Sequence, residues 1–73
     1  MSQIIVKELL LELGGEAFTS EVKDLAKKRY PTATLHKYVD VRLKSMEKWG
    51  EVESELREND RGISVRFWRI VSK

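Results

Sequence analysis

The sequence predicts an α+β domain, three helices closed by a C-terminal β-hairpin, with one short strand after the first helix. Three observations carry this. Before Gly50, apolar residues recur at spacings of three and four in three separate segments. After Gly50 the pattern changes, and Ile63–Val71 becomes the most β-prone stretch of the chain. Between the two candidate strands lies Asn59-Asp60-Arg61-Gly62, a turn signal. With 73 residues and no linker, repeat or low-complexity segment, residues 1–73 are read as one domain.

The first helix is expected over about residues 3–13, capped by Ser2. Ile5, Val6, Leu9, Leu10 and Leu13 fall on one arc at 100° per residue. Gly14-Gly15 stops it, because glycine takes the left-handed position past a helix end cheaply. Glu16-Ala17-Phe18 is too short for an independent strand and suits a sheet edge. Thr19 or Ser20 caps the second helix, about 20–30, with Glu21 in the first turn where a carboxylate suits the dipole. Val22, Leu25, Ala26 and Tyr30 give its spacing, and Pro31 ends it. Thr32 or Thr34 caps the third helix, about 34–48, whose buried stripe is Leu35, Val39, Leu43 and Met46. Trp49-Gly50 closes that helix, with Trp49 in the core or as a lid over the helix–hairpin corner. The hairpin covers about 51–71, with Val52 and Leu56 on one strand face. Ending its first strand at Glu58 and starting the second at Ile63 sets Leu56 opposite Val65, Ser54 opposite Phe67 and Glu55 opposite Arg66.

Several function classes are excluded at this point. There is no cysteine, hence neither a disulfide framework nor a thiolate zinc site. His36, the single histidine, reads as a packing or capping residue, so no metal and no cofactor are expected. Gly14-Gly15 lacks the Lys-Ser/Thr of a phosphate loop, and no nucleophile, base and orienter come together, so the chain is not read as an enzyme. No small-molecule ligand is evident. The longest near-apolar stretch, Ile4–Leu13, is broken by Lys7, Glu8 and Glu12 and falls short of the ~20 residues of a membrane span. The start lacks a basic region and a cleavage site, so a cytoplasmic location is expected. The net charge is +2, from 14 basic and 12 acidic residues, so charge alone does not mark a nucleic-acid binder.

The element order, with Leu43-x-x-Met46-x-x-x-Gly50-x-Val52 at the junction of third helix and hairpin, resembles the winged helix-turn-helix family over nearly the full chain. Leu43 and Met46 seat the helix, Gly50 breaks it, and Val52 starts the hairpin. Phe18-Thr19-Ser20 is similar to the family's short first strand and cap, and Arg66-Phe67-Trp68-Arg69-Ile70 to its basic-aromatic closing strand. The connection between the second and third helices, Lys28 to Thr34 with Pro31 inside, is longer than the family's common tight turn.

The resemblance implies a double-stranded DNA-binding protein, a small transcriptional regulator, with the third helix in the major groove and the hairpin as wing. The helix arc opposite its buried stripe holds Lys37, Asp40, Val41, Lys44 and Lys48, with Thr34 at the edge and Thr32 just before it. Lys37 and Lys44 suit guanine edges or phosphates, Thr34 and Val41 thymine methyls, and Asp40 a cytosine amino group. Ser20 near the start of the second helix suits a phosphate. In the wing, Arg61 lies at the tip and Arg57 and Arg66 on the stem. Residues 51–60 hold five acidic side chains and one basic, while 61–73 hold four basic and none acidic. Cross-strand pairing therefore competes for the wing's arginines.

Two apolar features exceed what a monomer needs. Ile4 and Leu11 lie on the first helix away from its core arc, and Trp68 and Ile70 point opposite to Val65 and Phe67 in the expected register. Such patches mark interfaces, which points to a homodimer. The alternative to DNA binding is a winged helix serving as a protein–protein adaptor, favoured by the near-neutral charge and the acidic strand.

Overall fold

The computed structural model describes residues 3–32 and 34–71, without the side chains of Gln3 and Leu35. Ser2, expected as the first helix cap, lies outside these residues. The order is α1 (Gln3–Glu12), β1 (Glu16–Phe18), α2 (Thr19–Arg29), α3 (Leu35–Lys48), β2 (Val52–Glu58) and β3 (Ser64–Ile70). Three helices thus pack with a three-stranded antiparallel sheet of order β1-β3-β2, an α+β arrangement compatible with a winged helix. No helix among the described residues is long and apolar enough to cross a membrane.

Helices α1 and α3 end in the same way. Gly14 donates to the Leu11 carbonyl and Gly15 to that of Leu10, while Gly50 donates to Glu47 and Glu51 to Met46. Both are Schellman closures, which need a residue in the left-handed region. Gly14 supplies φ 92° and Gly50 φ 77°. The start of α2 differs from expectation. Phe18 holds the N-cap position in extended conformation, and its N–H donates to Glu21 Oε1 at 2.9 Å. The Thr19 hydroxyl is not a cap. It accepts the Trp68 indole N–H at 2.7 Å and faces the Arg66 carbonyl at 3.4 Å, joining the start of α2 to β3.

The core takes Val6, Leu9 and Leu10 from α1, Val22 and Ala26 from α2, and Val39, Leu43 and Met46 from α3. The sheet contributes Ala17, Val52 and Trp68, with Ile5, Leu13, Leu25 and Ile70 packed at the margin.

The hairpin register departs from the expected one by one residue. Leu56 pairs with Arg66, Ser54 with Trp68 and Glu55 with Phe67. The cause is the loop. Asn59 N–H donates to the Ile63 carbonyl and Gly62 N–H to that of Asn59, so only Asp60, Arg61 and Gly62 connect the strands. Asn59 Oδ1 braces the turn by accepting from the Arg61 and Ile63 amides. Because side chains alternate with period two, a one-residue slip exchanges the faces of β3. Trp68, expected on the outside as a dimer contact, is fully buried, and Ile70 is half-buried against the core. Phe67, expected inside, lies on the outer sheet face. It is covered there by the Phe18 ring, edge-on at 5.0 Å, and by the Arg57 guanidinium, 3.9 Å from its centroid. Leu56 shares the face of Val52 but runs past the core and is 67% exposed. Trp49 is neither core nor lid, being 71% exposed.

Candidate nucleic-acid interface

Helix α3 is amphipathic by spacing. Burial of Val39, Leu43 and Met46 turns the opposite arc outward, and Lys37, Val41, Lys44 and Lys48 stand exposed along it. Asp40 is half-buried beside this stripe, its Oδ2 3.2 Å from Lys44 Nζ in an i,i+4 pair. Such an exposed pair contributes only ~0.3–0.5 kcal/mol, so Lys44 is held in place without being consumed. Lys37 and Lys48 have no ion pair among the described residues. Tyr38 and Tyr30 are also exposed near the start of α3 and the end of α2. Tyr30, at the C-cap of α2, thus departs from the packing role its spacing suggests, and Tyr38 is one that apolar spacing alone does not single out.

Thr34 occupies the N-cap position of α3 with no side-chain capping bond, and both it and Thr32 are exposed. Ser20 is exposed in the first turn of α2. Of the basic run at the end of α2, Arg29 is paired with Glu12 of α1 at 2.5 Å.

The register decides where the hairpin's arginines go. Arg66 shares the inner sheet face with Ser54 and Trp68, the face against which α3 packs. Its Nη1 donates to Ser54 Oγ at 2.9 Å, and Ser54 in turn donates to Glu47 on α3. A chain Glu47–Ser54–Arg66 thereby ties the hairpin to α3. Arg57 has the opposite parity and lies on the outer face, bound to Glu55 at 2.5 Å and stacked on Phe67. It is not gathered with the α3 stripe. Arg61 is exposed in the connecting loop, with no side-chain partner among the described residues.

The outer sheet face has its own charge arrangement. Glu16, Arg69 and Glu53 sit directly opposite one another across the three strands. Arg69 meets Glu16 at 3.0 Å, Glu53 at 3.4 Å and Glu55 at 3.7 Å. Its hydrogen bonds to Glu16 and then Glu53 raise its pKa above the ordinary arginine value. The acidic character of β2 is thus largely answered on this face. Among the described residues, no three His, Cys, Asp or Glu groups could hold a metal ion.

No family model and no curated protein matches the chain. A solved structure does, that of a candidate transcriptional regulator from Thermoplasma acidophilum. The TM-score is 0.71 at 23% sequence identity, and the match covers 94% of this chain and 63% of that one. The chain therefore spans less than two thirds of that protein's length, and what the two share is the fold.

Proposed function

We propose that the chain is a winged-helix domain that binds double-stranded DNA in a sequence-specific way and acts as a small transcriptional regulator in the cytoplasm. The observation that carries this reading is the α3 stripe. Lys37, Val41, Lys44 and Lys48 stand on the arc opposite the core, three cations about one apolar residue suited to a thymine methyl. In the proposed complex α3 enters the major groove. Lys37 and Lys44 reach base edges or phosphates, and Asp40 orients Lys44 and accepts from cytosine. Thr34 and Val41 meet thymine methyls, and Ser20, Thr32 and Lys48 contact backbone. Arg61 and Arg66 extend the contact from the wing, whereas Arg57, paired with Glu55 and stacked on Phe67 at the outer sheet face, stays outside it.

The test is binding to random duplex DNA as salt is varied. Each neutralised phosphate adds about −0.9 to the slope of log affinity against log salt, and three to five contacts per protomer give a slope of roughly −3 to −4.5. A flat dependence overturns the proposal. It favours the second reading, a protein-binding module, which rests on the depression of the outer sheet face lined by Glu53, Glu55 and Arg69.

A further inference from the structure

Helix α1 buries Val6, Leu9 and Leu10, and its outward arc holds Ile4, Lys7, Glu8 and Leu11. All four are exposed, Ile4 to 66% and Leu11 to 56%. They follow the i, i+3, i+4, i+7 spacing of a packing stripe. Read from either end, the stripe has the same form, with apolar residues outside and one charge of each sign within. A two-fold axis through its midpoint, with two copies of α1 antiparallel, sets Ile4 against the partner's Leu11 and Lys7 against the partner's Glu8. Both contacts then occur twice. Helices 8–10 Å apart at a shallow crossing angle bring such pairs together. An isologous contact needs this self-complementarity, and a parallel pairing would instead set like charges together.

Lys7 also borders a shallow depression formed with Trp49, Gly50, Glu51 and Val71, so the stripe continues to the 71% exposed Trp49. Ile4, Leu11 and Trp49 together expose on the order of 400 Å² of apolar surface, the size of the largest patch on a typical monomer, which is often functional. That is about half of what each partner contributes to a standard interface, and the stems of Lys7 and Glu8 lie within the same outline.

We infer that the outward face of α1, bordered by Trp49, is the two-fold contact of a homodimer, with a reciprocal Lys7–Glu8 pair setting its antiparallel register. The occupant is a second copy of this chain because the charges of the stripe match their own two-fold image. The inference does not depend on DNA binding and is tested without DNA.

The experiment is sedimentation equilibrium of the full chain up to about 1 mM, which captures association down to about 4 kcal/mol. The wild type is expected as a dimer. Lys7→Glu alone and Glu8→Lys alone each place two like-charge pairs at the axis, and each is expected to dissociate at concentrations where the wild type holds. An equimolar mixture of the two variants restores opposite pairing and forms a heterodimer, and the doubly exchanged chain forms a homodimer again. Both positions are exposed, so unchanged helical circular dichroism is expected throughout. Leu11→Glu provides an independent variant that is expected to remain folded and monomeric. A wild type that stays a single protomer at the top concentration overturns the inference. So does a wild-type dimer that both single charge variants retain, or a mixture of the two that fails to associate.

Discussion

Replacing Trp68 by Phe tests the hairpin register, because only the observed pairing buries that side chain. Trp68 is fully buried, and its indole N–H donates to Thr19 Oγ1 at 2.7 Å. Phenylalanine is smaller by about three heavy atoms, each worth close to the ~0.8 kcal/mol of a buried methylene, so lost burial costs about 2 kcal/mol. The lost hydrogen bond adds about 1 kcal/mol. A domain of 73 residues has roughly 4–11 kcal/mol of stability in total. A loss near 3 kcal/mol is therefore a large share of it and lowers Tm by about 12–24 °C. Thr19→Val keeps the shape and removes the acceptor, leaving the indole N–H unanswered at a cost of about 1–2 kcal/mol. Urea unfolding of the wild type, both single variants and the double variant closes a cycle. The double variant is expected to be more stable than the sum of the singles implies, by about 1 kcal/mol. Wild-type stability in Trp68→Phe would return Trp68 to the outer face and refute the register. Strict additivity in the cycle would refute the Thr19–Trp68 bond.

Within the proposed DNA complex, Lys37→Ala and Lys44→Ala should both weaken binding, and one should relax preference at a base position by ~1–3 kcal/mol. Arg61→Ala should weaken binding equally across sequences, whereas Arg57→Ala, removed from the α3 face, should leave affinity unchanged; selection of bound duplexes with each variant checks both. Gly50→Ala should destabilise by about 1–2 kcal/mol through backbone strain alone, since φ is 77° there and no atom lies within 4 Å of an added Cβ. Thermal melts measure that loss, and an unchanged Tm would contradict the left-handed closure of α3.

The helices are legible in the sequence because their determinants are local. Apolar spacing alone assigned Val6, Leu9 and Leu10 to one side of α1 and Val39, Leu43 and Met46 to one side of α3, and the structure buries these residues. Gly14 and Gly50 marked both helix ends for the same reason, since each closure depends on one residue's backbone. The exposed arc of α3 follows directly from its buried one, so the candidate interface on that helix was readable before any coordinates. The start of α2 was not, because Thr19 and Ser20 look like caps and the Thr19 hydroxyl is instead drawn to an indole 49 residues away. Trp49 was not either, since an aromatic at a helix end looks like core until the surrounding surface is known.

The hairpin was decided only by tertiary structure. Asn59-Asp60-Arg61-Gly62 is a turn on any reading, but a loop of three residues and one of four are equally consistent with those letters. The choice falls to contacts made elsewhere. Trp68 fills the core beside Ala17 and Val52 and finds an acceptor on α2, while Phe67 is covered by Phe18 and Arg57. Because strand side chains alternate with period two, that choice also separates the arginines. Arg66 is sent to the side of α3 and Arg57 to the outer face. Local sequence determined that a hairpin forms and where it turns. Long-range packing determined which of its faces looks toward the helices, and so which of its cations stand beside the α3 stripe.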